Sequence, residues 1–284
     1  MKLKYIIPVL FTAVFATSCS NDDDSNDLNI IDEIEELQLV ESIENDTHII
    51  ELYTETGDFE TGYNNITTRI LDKSTEQYVE NADIDWSPVM DMETMSHSCP
   101  ASDVDKMDNY NTLYNGYIVF QMTNDDGSGW TLSLDYTIDN AAYEASSTIT
   151  VNRSETQNVI VFSDDTSKRY VLALVEPSEP IIGVNEMVVG LYEMESMMSF
   201  PEVEDYTIGL DPRMPDMGNH SSPNNTDLTY TSSDEMYHGD LSLTMTGYWT
   251  LNLKVYDEDG TLLAGDDVTE EDGDKGSLYL ELIF

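Results

Sequence analysis

The sequence predicts an all-β chain built as two tandem antiparallel β-sandwiches. Three observations carry that prediction. Short β-branched or aromatic stretches recur along the chain with turn residues between them. The second half repeats the first stretch by stretch, and each half carries its own core tryptophan, Trp130 and Trp249. At 284 residues, with 40% hydrophobic and 24% charged content, the chain is long enough for two ordinary domains with separate cores.

In order along the chain, residues 1–18 read as an export signal. Lys2 and Lys4 precede an apolar run from Tyr5 to Phe15, too short to span a bilayer, and small residues lead into Cys19. Ala16-Thr-Ser-Cys19 resembles the lipobox of bacterial lipoproteins, with Ala16 where Leu is usual. That resemblance implies acylation of Cys19, a lipid bilayer as the first partner, and an outer-membrane location. Residues 19–45 form an acidic tether, opening on Ser20-Asn-Asp-Asp-Asp-Ser-Asn-Asp27, which has nothing to bury. This run resembles the export tag of some Gram-negative surface lipoproteins and so implies exposure to the medium. Within the tether, Ile30–Ile43 reads equally as a short helix or a first strand.

The first sandwich is expected over residues 46–155, with strands at His48–Tyr53, Asn65–Ile70, Tyr117–Met122, Trp130–Tyr136 and Ser147–Val151. Thr56-Gly57, Asn124-Asp-Asp-Gly127 and Asp139-Asn140 supply turns between them. The boundary falls near Arg153–Glu155. The second sandwich, residues 156–284, repeats the pattern with Tyr170–Val175, Glu186–Tyr192, Asp240–Met245 and Trp249–Val255. Two copies are too few for a solenoid, so the halves read as self-sufficient domains.

The formal charge of −46 makes nucleic acid and anionic membrane surfaces poor partners. Removing residues 1–18 takes away two of the 11 basic residues and none of the 57 acidic ones. With Cys19 acylated, Cys99 has no disulfide partner in the chain.

The stretch with chemistry is Asp211-Pro-Arg-Met-Pro-Asp-Met-Gly-Asn-His-Ser-Ser-Pro223, and it has an earlier copy, Ser87-Pro-Val-Met-Asp-Met-Glu-Thr-Met-Ser-His-Ser-Cys-Pro100. Both read Pro-x-Met, a second Met, then His-Ser-x-Pro. A further Met lies 25 residues beyond each His, His97 to Met122 and His220 to Met245. Strand parity places each of those Met residues at the same end of its sandwich as the loop. Met214, Met217, His220 and Met245 then form one candidate metal site, and Met90, Met92, Met95, His97, Cys99 and Met122 the other.

Met-Pro-x-Met-Gly-x-His, a Gly-bearing strand ending in Met, then Gly-x-Trp-x-Leu resembles the YtkA-like domain family. These are small extracytoplasmic immunoglobulin-like modules related in outline to the FixH group. The second half carries the resemblance in Met214, Pro215, Met217, Gly218, His220, Gly239, Met245, Gly247 and Trp249. In the first half Asp91 replaces Pro215 and Gly218 has no counterpart. The resemblance implies an immunoglobulin-like sandwich and copper handling.

Thioether sulfur binds soft ions without losing a proton, whereas Ca²⁺ and Mg²⁺ want oxygen and Zn²⁺ prefers thiolate, imidazole or carboxylate. Met with His therefore points to Cu(I). The competing expectation is that these methionines fill gaps in an irregular core or dock a partner. By the same parity His238 and Met194-Glu-Ser-Met-Met198 fall at the opposite end of the second half and read as structural, as does His48. The acidic loops Asp257–Gly260 and Asp266–Gly273 lack the ligand spacing of a calcium loop. No nucleophile–base pair, phosphate loop or spaced carboxylate pair is present, so no enzyme is expected. The leading expectation is a surface-anchored lipoprotein that scavenges, buffers or passes on Cu(I), with a copper-handling protein as partner. The alternative is a non-metal adhesion or carbohydrate-binding accessory lipoprotein.

Overall fold

The computed structural model describes residues 34–92, 94–124, 129–269 and 275–284. The export signal, Cys19 and most of the tether lie outside the described residues. So do Asp125–Ser128 and part of the last acidic loop. The fold class is the expected one, all-β and antiparallel in sandwich-like layers.

In the first half one sheet runs Gln38–Glu44, His48–Thr54, Gly62–Asp72, Tyr114–Phe120 and Asp105–Lys106. The other runs Ala141–Ile149, Gly129–Ile138, Asp83–Asp91 and Ser96–His97. The alternation of buried and exposed residues in Asp83–Asp91 and Gly129–Ile138 puts Ile84, Trp86, Met90, Trp130, Leu132 and Leu134 on the inner face. They meet Ile50, Leu52, Ile66 and Ile118 from the first sheet in one continuous core.

The second half follows the same path through Val159–Ser163, Arg169–Glu176, Gly183–Glu193, Met236–Leu243, Leu228–Thr231, Thr207–Met214 and Tyr248–Tyr256. His220–Ser221 pairs with Thr207–Met214, and Tyr279–Ile283 pairs with Tyr248–Tyr256. Here Leu228–Thr231 is hydrogen-bonded on both sides, so the two layers join in one ten-stranded sheet. The first-half counterpart, Asp105–Lys106, pairs with Tyr114–Phe120, and the link to the other layer shrinks to the bridge between Val104 and Ile84.

A shared clasp confirms the register of the repeat. Asn64 donates from Nδ2 to the carbonyls of Glu60 and Gly62 and accepts the Glu60 N–H. Asn185 does the same with Ile181 and Gly183. Gly62 and Gly183 both hold positive φ, 107° and 137°, a conformation that disfavours any side chain. Gly-x-Asn at matching places in the two halves is a sequence signal that the strand reading passed over.

One open reading is resolved and two expectations need correction. The described part of Ile30–Ile43, left between helix and strand, enters an edge strand, Gln38–Glu44, paired with His48–Thr54, so the first sheet begins inside the stretch read as tether. The strands expected to end at Met122 and Met245 end at Phe120 and Leu243, which leaves both methionines in turns. The Met/His stretches are only partly loop, because Ser87–Asp91 and Asp211–Met214 are strand. Proline hid them, since Pro88 and Pro212 lack a ladder donor. Each sits on a strand whose far side is paired only toward its ends, so the missing donor faces a gap in the ladder.

The halves also share a seam. Val119 from the first half packs with Val171, Ala173 and Tyr192 from the second, with Tyr63 and Tyr117 against them. Burial pushes the Tyr63 phenol up to about 12 and raises Tyr117 and Tyr192 as well.

Candidate functional site

The two Met/His stretches are built on one geometric plan. Met90 pairs across the ladder with His97, and Met214 with His220. Met90 also stands opposite Trp130 on its other side. The indole N–H of Trp130 donates to the Met122 carbonyl at 2.9 Å, and that of Trp249 to the Met245 carbonyl at 3.1 Å. Loop and turn therefore do meet at one end of each half. The recurring spacing to Met122 and Met245 marks a backbone acceptor for a buried indole, and it leaves both thioethers exposed.

From this shared plan the halves diverge. In the second, Met214 is buried, with its terminal methyl in the space that a side chain at Gly247 would crowd. The chain then makes a single 3₁₀ turn, Pro215–Met217, and reverses through Gly218 and Asn219, both at positive φ. Asn219 turns inward and donates from Nδ2 to the Thr269 carbonyl. Arg213 pins the loop from below, 2.8 Å from Asp211 and 3.1 Å from the Asn219 carbonyl. Among the described residues His220 makes no side-chain hydrogen bond, and it is exposed, as is Met217 at 56%.

In the first half the equivalent histidine is closed in. His97 is 6% exposed, and its ring meets Trp130 edge-on at 5.6 Å. Its Nδ1 lies 2.8 Å from the Ser98 carbonyl. Met90 is fully buried and Met92 packs partly against the same core. Cys99 belongs to that core too, and burial pushes its thiol well up, so as folded it is a small hydrophobic residue and not a ready thiolate. Of the six first-half candidates only Met95 and Met122 are well exposed.

Among the described residues no three of His, Cys, Asp or Glu converge as a metal-ligand group. A metal held here rests on thioether sulfur with an imidazole, a donor set that fits a soft monovalent ion and not a hard one. The other histidines are engaged elsewhere. His48 is buried, with Nδ1 3.0 Å from both Thr47 Oγ and Tyr136 Oη. Burial opposes charge on His238, but Glu186 and Asp234, each at 2.9 Å, hold its pKa above the ordinary value.

A cleft of about 720 Å³ opens between the halves, with Asp103, Asp105, Tyr117, Glu202 and Asp234 among its lining residues. It is polar and acidic, and none of the Met/His candidates line it.

No protein-family model matches the chain, and no curated protein matches it. Among solved structures the chain is similar to a chimeric titin Z1Z2-Z1Z2 tandem functionalized with a GRGDS peptide from fibronectin. The likeness has 11% identity over 79% of this chain and 93% of that one, with a TM-score of 0.20. A score that low adds nothing to the fold read from the strand order.

Proposed function

We propose that this chain is a surface-anchored lipoprotein that binds Cu(I) and scavenges, buffers or hands it on, through YtkA-like sandwich modules. The open site is in the second half, where Met217, His220 and Met245 supply the exposed donors, while Met214 is committed to the core as Met90 is. The observation that carries this reading is the exposure of His220 and Met217 on a loop pinned by Arg213, beside the turn that leaves Met245 in water. Core-filling methionines are expected to be buried, and these are not. Thioether sulfur binds a soft ion without losing a proton.

A Cu(I) competition titration of the full chain tests it. Met217→Leu with His220→Ala should abolish the open site, at a cost in stability of less than about 0.5 kcal/mol because both side chains are exposed. Wild-type protein that takes up no Cu(I) would end the reading. The acidic cleft beside Tyr117 favours a second reading, a glycan-binding or adhesive accessory lipoprotein. Glycan binding by metal-free protein, lost in Tyr117→Ala, would support that one instead.

A further inference from the structure

We infer that the first half's Cu(I) site is composite: Met95 and His97 are completed by Met197 and Met198 of the second half. The inference rests on the copper reading above and assigns a ligand set that the repeat does not contain.

Ser196 and Ser199 bridge across a tight turn, each N–H pointing to the other's carbonyl, at 3.4 and 3.5 Å. Met197 and Met198 are its two central residues. Strand parity puts this turn at the far end of the second half, away from His220. The packing of the two halves brings it instead to the first half's Met/His stretch, where the Met197 carbonyl accepts the Ser98 N–H at 2.7 Å. Ser98 is the neighbour of His97. The turn that carries two thioethers is thereby fixed one residue away from the buried imidazole.

The imidazole is suited to receive a metal. With Nδ1–H donating to the Ser98 carbonyl, the lone pair resides on Nε2. Among the described residues no hydrogen bond reaches Nε2, and it is not one of the buried polar atoms left unpartnered, so this edge of a ring in a residue only 6% exposed stays open to a ligand. A metal-ligating histidine commonly donates its other N–H to a carbonyl in this way. Two residues before His97 in the chain, and on the turn bonded to Ser98, the fold leaves thioethers in water, with Met95 at 52% and Met198 at 55% exposure, and Met197 is exposed as well. The first half's own Met90 and Cys99 are committed to its core and do not serve. Two thioethers from one half, with a thioether and an imidazole from the other, make a four-donor soft set.

The test is Cu(I) competition titration of the full chain with the ¹³C-methyl methionine resonances followed in parallel. Four proteins are compared: wild type, Met197→Leu/Met198→Leu, Met217→Leu/His220→Ala, and the two variants combined. Leucine conserves volume at exposed positions, and an unchanged urea midpoint verifies the fold. The expected result is two Cu(I) in the wild type. The turn variant should lose one or hold it at least tenfold more weakly, and the combined variant should hold none tightly. The Met197 and Met198 methyl resonances should shift with the ion that survives in Met217→Leu/His220→Ala. A turn variant that titrates like the wild type overturns the composite site and leaves the open site standing. A single Cu(I), lost entirely in Met217→Leu/His220→Ala, does the same. No Cu(I) in the wild type overturns both.

Discussion

His97 and His220 occupy the same place in two copies of one fold, each paired across a ladder with a buried methionine, yet one is enclosed and the other is in water. The first loop has one residue more between its paired Met and His than the second. The second uses Pro215 and Gly218 to make a compact 3₁₀ reversal that turns Asn219 inward in place of the histidine. Equivalent register therefore fixes where a side chain starts and not where it ends. Imidazole packs against Trp130 in one copy, whereas the side chain that the other loop buries is the Asn219 amide. A repeat alignment alone equates two residues that the packing has made different.

The largest effect that separates the copies should come from truncating their methionines in pairs. Met90→Ala and Met214→Ala remove buried side chains and should each cost about 2–5 kcal/mol. Met95→Ala and Met217→Ala should each stay within about 0.5 kcal/mol, measured by urea unfolding. A costly Met217→Ala would mean that the second loop is packed, and the contrast between open and closed would collapse.

The histidines should differ next. His97→Ala deletes a ring contact and a buried hydrogen bond and should cost about 2–3 kcal/mol, whereas His220→Ala should be nearly silent. Equal costs would show that His220 folds inward in solution.

Reactivity sharpens the same contrast without mutation. Cys99 should resist alkylation in the native state and react fully in denaturant, because burial both hides the thiol and keeps it protonated. Under mild peroxide Met95, Met217 and Met198 should be converted to sulfoxide well before Met90, Met187 or Met214, as read by peptide mass spectrometry. Native Cys99 that alkylates as fast as a free thiol would return it to the list of ligands.

Much of this molecule was legible in its sequence. The repeat, the strand-rich halves, the buried tryptophans and the loop–turn meeting at one end all follow from local pattern, since a period of two and a turn residue are local facts. The strands Asp83–Asp91 and Thr207–Met214 were not legible, because proline inside a strand reads as a break unless its missing donor faces a nearly open edge. The exposure of Met217 against the burial of Met214 was not legible either, as both lie in one short motif. Least legible was the approach of Met197 to Ser98. A contact between halves leaves no trace in the periodicity of either, so parity within the second half set the turn aside as remote from any site.

The smallest expected effect distinguishes the two histidines outside the Met/His loops, and its sign differs between halves. In the first half burial lowers the pKa of His48, with Asp72 and Lys73 as opposing lesser influences, so the fold prefers the neutral ring. Its stabilising contribution is full above the unfolded value of about 6.5 and is lost as pH falls through the lower folded value. In the second half the carboxylates of Glu186 and Asp234 outweigh burial and raise the pKa of His238. That contribution is full below about 6.5 and is lost as pH rises through the higher folded value. The His238 pairs are partly exposed, so their share should be about 1 kcal/mol or less. Proton NMR titration of the ring resonances should place the His48 midpoint below that of free histidine and the His238 midpoint above it. His238→Gln should then lose stability relative to wild type at pH 6 and approach it near pH 9. The reverse order of midpoints would mean that the Asp234 turn does not close on His238. A His238→Gln penalty that does not change with pH would mean that the pair stabilises through packing and not through charge.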